Sequence, residues 1–150
     1  MLALLQRVRE ARVEVGPAGA VEVVGRIGPG LLMLVCAEPA DTDAVAARLV
    51  AKVLKLRIFA DADGKMNRSL QDVAGGLLVV SQFTLAADTS GGNRPGFAGA
   101  APPPQGRALY ETVLQLARQQ HAEVQAGRFG ADMRVQLVND GPVTIPLRIG

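Results

Sequence analysis

The run Leu31-Leu32-Met33-Leu34-Val35-Cys36-Ala37 contains no polar side chain and is entered through the turn Gly28-Pro29-Gly30. A strand that faces water alternates apolar and polar residues, so an unbroken run of this kind predicts a strand covered on both faces. The cover comes from two helical patterns. Val45, Leu49, Val53 and Leu56 recur at spacings of three and four behind Asp41, which predicts a helix over residues 42–56 with the Asp41 carboxylate capping its first amides. Leu109, Val113, Leu116 and Gln120, beside Tyr110, Leu114 and Ala117, predict a second over 107–121. Each presents a single apolar face and must lie on a sheet.

The remaining segments read as strands. Residues 3–8 and 13–15 are short apolar or alternating runs, and Gly16-Pro17-Ala18-Gly19 turns the second into 21–24 as a β-hairpin. Residues 76–83 form a central strand, while 124–126, 133–138 and 143–149 follow the second helix. The last two are expected to be joined as a hairpin through Asn139-Asp140-Gly141. Between residues 86 and 104 runs a long loop rich in glycine and proline, in which Arg94-Pro95-Gly96-Phe97 supplies charge and an aromatic anchor; loops of this length are functional or mobile. No linker or repeat divides the chain, so residues 1–150 read as one domain of class α/β.

Composition removes several function classes. With 150 residues, 49% of them hydrophobic, the chain has the size of one compact domain. No apolar stretch approaches the roughly 20 residues needed to cross a bilayer, and Arg7 interrupts the opening apolar residues too early for a signal core. The chain reads as soluble, cytoplasmic and without a membrane partner. One cysteine and one histidine cannot build a zinc site in one subunit, no metal or cofactor is expected, and Cys36 inside the apolar run reads as a buried, inert thiol. A net charge of +2 is no nucleic-acid polycation, although the bases are mostly arginine, which suits bidentate contact to phosphate. Asp61-Ala62-Asp63-Gly64 starts like a calcium loop but has Met66 where glycine is needed, so it reads as a turn; Gly28-Pro29-Gly30 lacks the third glycine of a dinucleotide loop. No serine sits in a Gly-x-Ser-x-Gly elbow, and His121 reads as a solvated residue at a helix end. An enzyme built on this chain does not run on the usual reactive side chains.

Two segments carry more. Ser81-Gln82-Phe83-Thr84-Leu85 ends an apolar strand with three hydrogen-bonding side chains, and Asn139-Asp140-Gly141-Pro142-Val143-Thr144 follows a turn signal with a proline that cannot donate to a sheet. Each alone has an ordinary reading, as a strand leaving the core and as turn chemistry. Both in order, with Gln6-Arg7-Val8, Gly25-Arg26-Ile27-Gly28-Pro29-Gly30-Leu31, Leu56-Arg57-Ile58-Phe59, Gly64-Lys65-Met66-Asn67 and Phe129-Gly130-Ala131-Asp132-Met133, resemble the D-aminoacyl-tRNA deacylase family over essentially the whole chain.

The resemblance implies barrel-like, layered β-sheets with two main helices packed on one side, in a homodimer whose active site lies at the subunit interface. It implies hydrolysis of the ester joining a D-amino acid, or glycine, to the terminal adenosine of tRNA, with L-aminoacyl-tRNA rejected. Gly141 and Pro142 would be a cis unit that reads chirality in the other subunit's site, flanked by Asn139, Val143 and Thr144 and braced by Arg7. Ser81, Gln82, Phe83 and Thr84 would form the opposing catalytic wall, and Phe129 and Met133 the adenosine and aminoacyl pocket. The family usually carries a lysine and a serine where this chain has Gly91 and Gly96, which leaves Arg94 as the expected RNA contact of the long loop. Two alternatives stand beside this. A related editing deacylase acts on L-alanyl-tRNA, but with a Pro-Gln-Ala-Thr type motif where Ser81 and Phe83 stand here. The other is a noncatalytic dimer that grips a tRNA terminus.

Overall fold

The structure is a computed structural model that describes residues 1–150. In chain order it runs β1 (Leu2–Val15), β2 (Glu22–Ile27), β3 (Gly30–Cys36), α1 (Asp43–Lys55), β4 (Phe59–Ala60), β5 (Met66–Arg68), α2 (Leu70–Val73), β6 (Gly76–Ser81), a 3₁₀ turn (Phe83–Ala86), α3 (Pro103–Gln120), β7 (Val124–Ala126) and β8 (Met133–Arg148). β1 organises the main sheet. One of its edges carries β8, antiparallel, along nearly its whole length; the other carries β3 opposite Leu2–Val8 and then β2 opposite Ala11–Val15. β3 continues into parallel β6, and β6 into parallel β7.

Strand alternation splits the core in two. Leu31, Met33 and Val35 of β3 with Leu77 and Val79 of β6 face α1 and α3, where they meet Val45, Leu49, Val53, Leu109 and Val113. Leu32, Leu78 and Val80 face the other way and join Val8, Val13 and Ile27 inside the curl of the sheet. This is the two-sided burial expected of the Leu31–Cys36 run, and each such leucine contributes about 1.5–3 kcal/mol. The curl brings β2 back to β7: a Cβ at Gly25 would lie 2.5 Å from the Ala126 carbonyl oxygen, and Arg128 pairs with Glu22 at 3.0 Å. The result is a nearly closed, barrel-like sheet with the two long helices packed together on one side. No helix is long and apolar enough to cross a membrane.

Several expectations need correction. The first two apolar runs are one strand, β1, because β8 pairs with it from Leu2 to Val15, and the register shifts around Arg7 and Arg9 do not break β1 itself. Asp41 does not cap α1: its carboxylate accepts from the Met1 ammonium at 2.7 Å and the Glu38 amide at 2.7 Å, and the first of these pairs it with a full positive charge, which the neutral amides of a helix start do not offer. α3 starts four residues earlier than expected, since Pro103 and Pro104 occupy a first turn where a missing N–H costs nothing. Strand β6 stops at Ser81, and residues 83–86 wind into the 3₁₀ turn. His121 is half-buried rather than solvated, with Nε2 at 2.6 Å from the Gly75 carbonyl oxygen.

The expected hairpin at Asn139-Asp140-Gly141 is a bulge inside one continuous strand. Asn139 pairs with Val8 and Thr144 with Gln6, so Asp140–Val143 all stand opposite Arg7. Pro142 has no amide to give the ladder, and Gly141 takes φ +141°, a conformation L side chains rarely adopt. The segment therefore leaves the sheet and the strand resumes beyond it.

Candidate active site

Where β3 and β6 end, a cavity of about 650 Å³ opens between the strand tips, the start of α3 and the loop before β8. It is mostly apolar, and its size falls in the range of small-molecule sites. Ser81, Gln82, Phe83, Phe129 and Met133 line it together. A slightly larger groove of about 710 Å³ crosses Arg9, Arg12, Arg26 and Gln136, but it is open and charged and shares none of these residues.

The wall is held by backbone. The Gln82 amide donates to the Val35 carbonyl at 2.8 Å, fixing the end of β6 to β3, and the chain then turns so that the Leu85 amide reaches the Gln82 carbonyl at 3.2 Å. Leu85 is the first donor of this turn, which leaves the Phe83 and Thr84 amides ahead of it without a turn acceptor. Beneath them the Cys36 thiol lies 3.6 Å from the Phe83 carbonyl oxygen, and burial pushes its pKa up, so it stays neutral. Thr84 is exposed and outside the cavity lining; its hydroxyl accepts from Gln82 Nε2 at 2.5 Å. Phe83 is 58% exposed, and its ring meets Phe97 edge-on at 5.1 Å, which folds the long loop back onto the wall.

Opposite stands an aromatic pair. Phe129 lies 5.7 Å from Tyr110 and carries the Arg107 guanidinium 4.8 Å over its ring. The Tyr110 hydroxyl donates to the buried Val79 carbonyl at 3.0 Å, and burial pushes its pKa up to about 12. Met133 places its sulfur where a Cβ on Gly127 would come within 2.8 Å, so that glycine is what admits it. Tyr110 and Phe97 complete the walls; the sequence signals for them were the sole tyrosine on a buried helix face and the one aromatic in the long loop.

The bulge is a second constellation, and none of its residues lines the cavity. Arg7, its side chain only 16% exposed, donates through Nε to the Asp140 carbonyl at 2.9 Å and through Nη1 to the Ile58 carbonyl at 2.7 Å. Asn139 Oδ1 accepts from the Val143 amide at 2.8 Å, and its Nδ2 reaches the Thr144 hydroxyl at 3.0 Å. The Gly141–Pro142 peptide bond is cis, and both residues are exposed. A Cβ on Gly141 would fall 2.8 Å from Val143 Cγ2 and 3.1 Å from Arg7 Nη2, so this position admits only glycine without movement. Arg94 lies on the exposed long loop, whose base is closed by backbone bonds of 2.8 Å between Asp88 and Gly96.

The family described as D-Tyr-tRNA(Tyr) deacylase matches residues 4–148. A D-aminoacyl-tRNA deacylase of Methylibium petroleiphilum is 67% identical over 150 residues, covering 100% of this chain and 96% of that protein. Another from an Azoarcus species is 69% identical over 149 residues, covering 99% and 96%. Among solved structures, a c-Myc DNA unwinding element binding protein superposes with a TM-score of 0.91 at 38% identity, covering 99% of this chain and 98% of the other. A probable eukaryotic D-amino acid tRNA deacylase has the same fold, with a TM-score of 0.82 at 19% identity and 97% coverage of both chains. Fold, cavity and relatives define the class: an ester hydrolase whose substrate is an aminoacyl-tRNA. Within that class the chain belongs to the D-Tyr-tRNA(Tyr) deacylase family, whose similar members are named D-aminoacyl-tRNA deacylases.

Proposed function

We propose that the protein works in the cytoplasm as a homodimer that hydrolyses D-aminoacyl-tRNA and also glycyl-tRNA, and that it reads handedness with main chain contributed by the partner subunit. One observation carries this reading. The cavity holding Ser81, Gln82 and Phe83 and the braced bulge holding Gly141 and Pro142 are separate in one chain, and the bulge exposes its backbone. A second copy that inserts its bulge into the cavity mouth completes one site from both halves.

The chemistry follows from what such a site contains. The carbonyls of Gly141 and Pro142 accept hydrogen bonds from the substrate ammonium without touching its side chain, while Asn139, Val143, Thr144 and Arg7 hold them still. Phe129 and Met133 receive the adenosine and the aminoacyl group. With ammonium and ester both pinned, an L side chain runs into backbone, and glycine has none to clash. Ten-thousandfold rejection needs about 5.5 kcal/mol, more than the roughly 1–3 kcal/mol by which a fitted apolar pocket separates close analogues.

The ester is already activated, so water attacks its carbonyl carbon and the ribose oxygen leaves. The Phe83 and Thr84 amides stabilise the developing oxyanion, a role worth about 2.7–4 kcal/mol per donor in other enzymes. No side-chain nucleophile is required: the Thr84 hydroxyl is engaged by Gln82 and the Cys36 thiol is held neutral. Arg94 contacts tRNA phosphate from the long loop.

The test is a metal-free deacylation assay with D-Tyr-tRNA, Gly-tRNA and L-Tyr-tRNA. Hydrolysis of the first two with the third spared is expected. Binding of all three without hydrolysis would instead support a noncatalytic nucleic-acid protein, the reading favoured by the name of the 38% identical structure. Release of L-alanine from its tRNA in place of the D-substrates would support the L-alanyl editing activity.

A further inference from the structure

We propose that Arg107 receives the phosphate that links the terminal adenosine to the rest of the tRNA, so that the cavity rim reads the polynucleotide while the cavity reads the nucleoside. This rests on the function proposed above. The cavity lining is mostly apolar, and its one charged side chain is Asp132, a carboxylate that repels phosphate. A nucleoside fits such a lining, but its 5′ phosphate does not and must stay at the mouth.

Arg107 is the cation placed there. Its guanidinium carbon lies over Phe129, a wall residue, 4.8 Å from the ring centroid, and its Nη2 lies 3.9 Å from where a Cβ on Gly130, another wall residue, would stand. It is also free. Arg7, Arg9, Arg12, Arg128, Arg134 and Arg148 are ion-paired, and Arg48, Arg57 and Arg68 donate to oxygen acceptors of the chain. Arg107 has neither kind of partner, as is also true of Arg26, Arg94 and Arg118, and of these four it is the one held over Phe129, so its donors remain available at the cavity. The cation–π contact with Phe129 restrains where the guanidinium sits, which lowers the ordering cost of a phosphate contact.

The experiment compares wild type, Arg107→Ala and Arg107→Lys on two esters of one amino acid: D-Tyr-tRNA and 3′-O-D-tyrosyl-adenosine, which has no phosphate. Arg107 sits on the exposed face of α3, and urea unfolding of each variant verifies that it folds. For Arg107→Ala, KM for the tRNA ester is expected to rise about tenfold, and the rise should exceed that for the adenosine ester by at least about fivefold. The slope of log KM against log salt should fall by about 0.7, the contribution of one phosphate of a single strand, and Arg107→Lys should restore most of it. Equal losses on both esters would mean that Arg107 acts only through Phe129 and would overturn the proposal, as would an unchanged KM and salt slope on the tRNA ester. If wild type hydrolyses neither ester, the proposed function falls and this contact with it.

Discussion

Arg7 ties the bulge to the body of the molecule, and its removal gives a quantitative test of whether bulge rigidity sets specificity. In Arg7→Ala two hydrogen bonds are lost, to the Asp140 carbonyl at 2.9 Å and the Ile58 carbonyl at 2.7 Å. Bonds from a charged donor contribute about 1.5–3 kcal/mol each. Because Asp140 sits beside an exposed segment, water recovers part of this, and the net loss should be about 3 kcal/mol. The functional loss follows from geometry: a displacement of about 1 Å at a positioning element costs about 100-fold. The kcat/KM for D-Tyr-tRNA should therefore fall about 100-fold, while L-Tyr-tRNA, no longer excluded by a fixed wall, should be cleaved at a higher relative rate. Arg7→Lys, which keeps the charge but reaches one carbonyl at a time, should fall between. Single-turnover deacylation of both tRNAs and urea unfolding measure the two effects. Wild-type stability together with an unchanged D-to-L ratio in Arg7→Ala would refute the reasoning.

Three further outcomes are expected. Thr84→Ala should keep at least about a tenth of the deacylation rate, since the hydroxyl only accepts from Gln82; loss of all turnover in a folded variant would indicate side-chain catalysis. Arg94→Ala should weaken tRNA binding and flatten its salt dependence, measured as Kd at low and high salt, whereas equal affinities would remove the loop from the interface. Tyr110 has its folded pKa raised to about 12 from 10.0, so its stabilisation is intact below pH 10 and is lost as pH climbs toward 12, at about 1.4 kcal/mol per pH unit. Urea unfolding across that window should show the decline in wild type, and Tyr110→Phe should remove it.

What the sequence revealed, and what it hid, follows from the range of the forces involved. β3 and α1 were legible because burial on two faces and on one face leave different periods in the sequence. The bulge is not legible because Asn-Asp-Gly-Pro has the turn chemistry of a hairpin, and only the pairing of residues on both sides of it to β1 distinguishes the two. Asp41 looks like a cap in the sequence because its charged partner, the Met1 ammonium, is 40 positions away in the chain. At the site, Ser81, Gln82 and Phe83 stood out as a motif, but their meeting with Phe129 and Met133 depends on the curl of the sheet. Short spacing carries no record of that curl. Thr84 belonged to the same motif and faces away, since the 3₁₀ turn begins one residue before it.

Subunit complementation tests the proposal of a site shared between two subunits most directly. Gly141→Val disables the bulge by the clash its Cβ would make with Val143, and Phe83→Arg places a cation where the substrate ammonium would arrive. Each variant alone should be inactive on D-Tyr-tRNA. Mixed at equal amounts and allowed to exchange subunits, the two should regain roughly a quarter of the wild-type activity, because half the dimers are mixed and each of those holds one intact site. A mixture that forms mixed dimers yet stays as inactive as its parents would contradict the account.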